Sequence, residues 1–287
     1  MTSHLINFGI EAQRVLPPFV TTQFTKNICK KMGLRKDLDA KINFAKEYNI
    51  DWTTSRVCQG DDSLATCAAK FPTLNDFFAR KIMPELTKPE TTRRGAIVSP
   101  AECHARRVVS TNELFEIKGA NYNLGTLLNK DVVPKAAAVF IFRLAPEQYH
   151  RIHSPISSTV VSVSSTGGEY KSVNPILLDR VSVLQKNYRK IIAFENGMYL
   201  VCVGATCVGS VNLTVKKGSS VVHGQDIGAF AFGGSCLVLV VPEACKISKF
   251  NPKITKNESL LNVGKWVADF TVGASKRVTR KIKRSVN

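Results

Sequence analysis

Two of the five histidines fall together in Tyr149-His150-Arg151-Ile152-His153-Ser154-Pro155. Imidazole exchanges protons near neutrality better than any other side chain, so the pair could serve acid–base catalysis; it could equally ligate a metal or satisfy hydrogen bonds in a core. A second candidate is Phe232-Gly233-Gly234-Ser235-Cys236-Leu237-Val238, where paired glycines enter an apolar strand. Lacking Cβ atoms, the glycines permit a strained turn in which the Ser235 hydroxyl approaches its neighbour's carbonyl. An ordinary hairpin bend also accounts for these residues, which lack the G-x-S-x-G of a hydrolase nucleophile elbow. The third candidate is Ser99-Pro100-Ala101-Glu102-Cys103-His104, a tight turn presenting a carboxylate, with a plain surface turn as its alternative.

Elements able to position these groups are visible along the chain. From about Ile97, short runs of Val, Ile and Phe alternate with Gly, Pro, Asn and Ser. They predict strands at Ala137–Arg143, Thr159–Ser164, Ile191–Phe194, Tyr199–Val203, Ser210–Val215 and Cys236–Val241. Their regular spacing favours an antiparallel sheet over βαβ units. Residues 1–95 are mainly helical in texture. After Pro17-Pro18, Val20, Phe24, Ile28 and Met32 recur every four residues beside Lys26, Lys30 and Lys31, with Gly33 as a stop. That basic border suits an anionic bilayer, although such a stripe also packs on its own protein. Leu38, Ile42 and Ala45 mark a second helix, and Thr73 with Asp76 an N-cap. The expected fold is α+β: a helical region over 1–95, a mainly antiparallel β catalytic core over 96–252, and a strand with a basic tail over 253–287.

The chain has 287 residues, 44% hydrophobic and 22% charged, which excludes disordered, collagen-like and mini-protein classes. Its 40 Lys+Arg against 22 Asp+Glu leave +18 at neutral pH, so an anionic partner is expected. Nucleic acid and an anionic membrane surface both satisfy that expectation and composition does not separate them, a soluble protein with a basic tail being the plain alternative; no nucleic-acid recognition motif accompanies the charge. The tail concentrates Lys276, Arg277, Arg280, Lys281, Lys283 and Arg284. No apolar run approaches the ~20 residues of a spanning helix, and no secretory signal is recognised, so peripheral membrane attachment is expected. The eight cysteines form no C-x-x-C pair. Reduced structural thiols are expected, with neither a disulfide framework nor a zinc site.

In their order, the motifs resemble those of the pyruvoyl-dependent phosphatidylserine decarboxylases. Pro72-Thr73-Leu74-Asn75-Asp76-Phe77-Phe78-Ala79-Arg80-Lys81 is similar to the segment preceding that family's catalytic domain. Val98-Ser99-Pro100-Ala101-Glu102 resembles its V-S-P-A-D-G turn, and the stretch from Arg143 to Pro155 its R-L-A-P-x-D-Y-H-R-F-H-x-P. Val203-Gly204-Ala205-Thr206-Cys207-Val208-Gly209-Ser210 and Phe230-Ala231-Phe232-Gly233-Gly234-Ser235 resemble V-G-A-T-x-V-G-S and the F-x-F-G-G-S cleavage site.

The resemblance implies a proenzyme that cuts itself between Gly234 and Ser235 and converts Ser235 into a covalent pyruvoyl group, with no metal. It implies His153 as the base for Ser235, Glu102 as the group orienting that base, and His150 as the acid of the decarboxylation step. The pyruvoyl ketone would form a Schiff base with phosphatidylserine, giving phosphatidylethanolamine and CO2. The cleaved chains would stay associated, and a homodimer is compatible with this. Two departures stand out, Glu102 for Asp and Cys103 for Gly, and Asn187-Tyr188-Arg189 is a loose version of the family's N-E/K-R element. The alternatives are a lipid-surface relative that has lost self-cleavage and a pyruvoyl decarboxylase of a soluble amino acid. A metal hydrolase built on Glu102, His104, His150 and His153 is a weaker third, since no H-E-x-x-H is present.

Overall fold

The run Ser235–Pro242 has no polar face to offer water, so it belongs in the middle of a sheet covered on both sides. Every one of its eight residues is buried. The computed structural model describes residues 27, 30–108, 110–111, 114–117, 120–133, 135–173, 183–205, 211–233 and 235–272. The expected amphipathic helix, apart from a helical turn at 30–33, lies outside the described residues. So do the basic tail, residues 206–210 and Gly234.

After the helical turn at 30–33, the described residues form short helices: α1 (Leu38–Glu47), α2 (Leu64–Ala69), α3 (Leu74–Phe78) and α4 (Pro84–Thr87). Strands β1 (Ala96–Val98) and β2 (Cys103–Val108) lead into a meander, β3 (Ser110–Thr111), β4 (Leu114–Ile117) and β5 (Ala120–Asn123), then α5 (Leu124–Leu128). There follow β6 (Ala136–Leu144), β7 (Arg151–His153), β8 (Ser158–Thr166), α6 (Val183–Lys186), β9 (Arg189–Phe194) and β10 (Tyr199–Gly204). The rest comprises β11 (Val211–Leu213), β12 (Ser220–Val221), β13 (Asp226–Phe230), β14 (Ser235–Pro242), β15 (Cys245–Phe250), β16 (Ser259–Leu261) and β17 (Trp266–Val272). The expected strands are present within a residue or two, and the architecture is α+β with a mainly antiparallel β domain.

The main sheet has eight antiparallel strands in the order β12-β8-β9-β10-β14-β6-β2-β16. Smaller sheets are β1-β17-β15, β11-β13-β7 and β3-β4-β5. Strand alternation divides β14 between two cores. Leu237, Leu239 and Val241 join Phe140, Phe142 and Leu200, while Cys236, Val238 and Val240 join Val139, Ile141 and Val201.

A third core belongs to the N-terminal helices and holds Phe44, Phe71, Leu74, Phe77 and Phe78. Asp37 starts α1 by accepting from the Ala40 amide at 2.9 Å. Thr73 and Asp76 start α3 with a reciprocal capping box. Phe232 crosses from the β domain into this cluster, 5.2 Å from the Phe44 ring and 5.4 Å from Phe78. Truncating such a buried phenylalanine typically costs about 3–5 kcal/mol, so the joint is firm.

The cysteine expectation needs one correction. Cys58 and Cys67 form a disulfide, at a Cα separation of 5.0 Å. The 3-10 turn Arg56–Cys58 and α2 both pack into the phenylalanine cluster, which brings together two thiols whose spacing matches no motif. Cys103, Cys202, Cys236 and Cys245 are free and buried, as expected.

Candidate functional site

Ser235 opens β14, opposite Gly204 of β10 on one side and Leu144 of β6 on the other. It is fully buried, yet its Oγ has no hydrogen-bond partner among the described residues. An unpaired buried hydroxyl costs free energy, which singles Ser235 out for a strained or reactive role. Just before it, Gly233 has φ 135°, which a side chain would not tolerate. The amide of Phe232 donates to Asn75 Oδ1 at 2.8 Å, so α3 holds the segment entering the predicted scissile bond. Asn187 Nδ2 donates to the carbonyls of Lys171 and Gly204, both at 2.8 Å, which steadies the strand beside Ser235. Arg189 spends its guanidinium on the backbone carbonyls of Thr126, Leu127, Gln185 and Asn187. The Asn187-Tyr188-Arg189 element is therefore scaffolding.

The fully buried His150 lies just before β7. Its Nδ1 donates to the Gln148 carbonyl at 2.7 Å, since a carbonyl can only accept, and Nε2 is left with a bare lone pair and no partner among the described residues. The ring lies 4.0 Å from that of Phe78. Burial pushes its pKa down to about 3, and the nearby Arg80 charge acts in the same direction, so it is neutral at physiological pH.

His153 closes β7, with its amide bonded to the Pro100 carbonyl at 2.8 Å. Nδ1 donates to the Gly224 carbonyl at 2.7 Å, which makes Nε2 the acceptor of the Tyr149 hydroxyl at 3.0 Å. Burial lowers this pKa too. Gly224 has φ +72°, and a Cβ there would come within 2.9 Å of Pro89. Only glycine lets that carbonyl meet the imidazole.

Glu102 sits in the turn between β1 and β2. Ser99 braces this turn by donating from Oγ to the Ala101 carbonyl at 2.7 Å. The expected contact of Glu102 with His153 is not the one observed: Glu102 Oε2 accepts from the Tyr149 amide at 3.2 Å, and Gly224 takes the orienting place on His153. Glu102 thus supports the tyrosine that caps the histidine. Burial raises its pKa, partly offset by the Tyr149 amide and the charge of Arg80. Cys103 is buried in the main core and its φ is not positive, so the turn accommodates a side chain there.

Ser235 at the start of β14 and His150 and His153 at β7 are all buried, and Glu102 reaches His153 through Tyr149. The structure does not gather Glu102, His104, His150 and His153 as metal ligands. Among the described residues, the one close group of three or more His, Cys, Asp or Glu ligand atoms is Cys58, Asp61 and Cys67, two of them tied in the disulfide. His104 lies on β2 opposite Arg143. Sequence reasoning assigned no part to Asn75, Tyr149, Gly224 or Arg80. Asn75 and Arg80 were visible within the Pro72–Lys81 motif, and Tyr149 beside the histidines, but nothing in sequence marked Gly224.

Comparison with known proteins bears on this arrangement. Residues 74–268 match the family model described as phosphatidylserine decarboxylase. The proenzyme of Clostridium botulinum strain 657 is 31% identical, over 78% of this chain and 77% of the relative. The chain belongs to the phosphatidylserine decarboxylase family. Two fungal members, each named phosphatidylserine decarboxylase proenzyme 2, are also similar: that of Saccharomyces cerevisiae at 31% identity over 88% of this chain, and that of Komagataella phaffii at 34% over 68%. The chain spans 25% and 21% of the length of those two relatives. The region matching the family begins at α3, so it contains Asn75, Arg80, Glu102, both histidines and Ser235.

Proposed function

We propose that this chain is a self-processing decarboxylase that removes CO2 from the serine headgroup of phosphatidylserine. The observation that carries this is the buried hydroxyl of Ser235, without a partner among the described residues and directly after two glycines, in a chain whose two buried imidazoles are held toward the neutral form. In the cleavage step, the Ser235 hydroxyl adds to the Gly234 carbonyl and the peptide C–N bond breaks, leaving an ester. Loss of the Ser235 α-proton then expels the Gly234 carboxylate, and hydrolysis releases ammonia and leaves a pyruvoyl group at residue 235. His153 receives the hydroxyl proton in this reading. Its Nε2 lone pair is covered by one rotatable phenolic hydrogen bond, while Gly224 fixes the tautomer. Cleavage at this bond puts β14 to β17 on the second chain. Pairing of β14 with β10 and β6, of β16 with β2 and of β17 with β1 supports continued association.

The residues around Ser235 fit such a group, because Ser235 is fully buried and burial keeps the Cys103 and Cys236 thiols protonated, so that they do not compete as nucleophiles. The pyruvoyl carbonyl supplies the electron sink that accepts the pair released with CO2. The free lone pair of His150 Nε2 can take the proton that the substrate's ammonium gives up on binding and return it as the replacement proton. The net charge of +18 supports work at an anionic membrane surface. No helix among the described residues is long and apolar enough to cross a membrane.

Denaturing electrophoresis with intact-mass analysis of the parent and of Ser235→Ala tests the processing. The parent should yield a large fragment ending at Gly234 and a small one with a blocked amino end, and the variant should remain whole. Product analysis with phosphatidylserine and with free amino acids tests the substrate. A variant that matured and decarboxylated like the parent would end the proposal. An uncut but lipid-bound parent would instead favour a non-catalytic relative.

A further inference from the structure

The structure contains a buried positive charge that forms no hydrogen bond or ion pair among the described residues. Arg80, two residues beyond α3, is 4% exposed, and its Nε has no hydrogen-bond partner. Among the described residues, its guanidinium makes no hydrogen bond and no ion pair; its Cζ lies over the Phe77 ring, 5.7 Å from the centroid. Other buried or half-buried arginines behave differently. Arg189 spends its donors on carbonyls, Arg143 grips Glu258 with two nitrogens, and Arg151 binds Asp226 and the Ala79 carbonyl. Arg106 also has a free Nε, but its charge acts on Glu258 beside Arg143. Burying a guanidinium without a partner is costly, and its unused donors are suited to a bound anion.

Its neighbours are those of the proposed active site. The Arg80 charge acts on His150, Glu102 and Tyr149, and Phe78, two residues earlier, packs against the His150 ring. Glu102 feels the charge without pairing with it. Burial lowers the Arg80 pKa only to about 10, so the group is cationic at neutral pH.

A phosphatidylserine headgroup carries two anions, the carboxylate and the phosphodiester. A clamp on the carboxylate would stabilise the ground state of a group that must leave uncharged as CO2, and would oppose the reaction. The phosphodiester keeps its charge throughout, so binding it orients the substrate without that cost. We propose that Arg80 is the residue that binds the substrate's phosphodiester, and so selects phosphoserine headgroups over free amino acids. This rests on the functional reading above, extending it to the substrate.

The test measures binding of a product-like probe, so it needs no turnover. Dihexanoyl phosphatidylethanolamine has the phosphodiester and lacks the carboxylate; 2-hexyloxyethylamine lacks both. Titration calorimetry on the mature protein should show Arg80→Met weakening the first probe by roughly 10–100-fold, the usual range for a charge-assisted hydrogen bond. Arg80→Lys should recover part of that loss, and binding of the ether amine, a cation without a phosphodiester, should not follow the same order. If the methionine variant does not fold, the lysine variant decides, with a smaller loss confined to the phosphodiester probe. Unchanged affinity, absence of binding by the parent, or equal loss for both probes overturns the assignment. Parent protein that binds the phosphodiester probe through Arg80 but decarboxylates no substrate would overturn the functional reading and leave the anion site standing.

Discussion

The burial of His150 makes a quantitative demand on stability in acid. In the folded chain its pKa is pushed down to about 3, against 6.5 for the free side chain, so below pH 6.5 the unfolded chain takes up a proton that the folded chain refuses. Stability from this group is complete above about pH 6.5 and is lost as the pH falls toward 3, at about 1.4 kcal/mol per pH unit. Between pH 7 and pH 5 the loss is about 2 kcal/mol, which moves a urea midpoint by roughly 0.7–1 M. The measurement belongs in the Ser235→Ala background, where a single chain unfolds, comparing it with the same chain carrying His150→Gln. Glutamine loses packing against Phe78 at every pH, but that loss cancels when each protein is compared with itself at the two pH values. His153, whose pKa is also lowered by burial, contributes to both proteins alike. The glutamine variant should be less sensitive to acid by about 2 kcal/mol. If both proteins lost the same stability between pH 7 and pH 5, His150 would not be neutral and desolvated, and the account of its free Nε2 would fail with it.

The remaining predictions concern the N-terminal helices. Asn75→Ala should slow the appearance of the two fragments by roughly 5–30-fold, because the buried Phe232 amide loses its acceptor, worth about 1–2 kcal/mol. Asn75→Asp retains an acceptor oxygen and should process much closer to the parent rate; a time course in which alanine matures as fast as asparagine would remove α3 from the cleavage apparatus. Reducing the Cys58–Cys67 bridge, or replacing both cysteines by serine, should lower stability by about 2–3 kcal/mol, the loop entropy expected for their separation of nine residues. Intact-mass analysis must first show that reduction adds two hydrogens to this pair, and an unchanged mass would mean the thiols are free in the folded protein.

Local sequence was sufficient where local physics decides. Runs such as Ala136–Leu144 and Ser235–Pro242 become interior strands because a continuous apolar stretch leaves no side for water. Thr73 and Asp76 start α3 through bonds spanning three residues. The order of short motifs carried the family, the glycine–serine bond and the two histidines. None of that chooses between the nitrogens of an imidazole. The choice rests on contacts between segments far apart in the chain: the Gly224 carbonyl against His153, 71 residues away, Glu102 under the Tyr149 amide, 47 away, and Asn75 on Phe232, 157 away. The same holds for the Cys58–Cys67 bridge, for the departure of Glu102 from the triad position, and for the unpaired charge of Arg80. Strand and cap signals are properties of neighbouring residues and survive in any context, whereas a lone pair left free or a cation left without a partner exists only once the whole chain has packed around it.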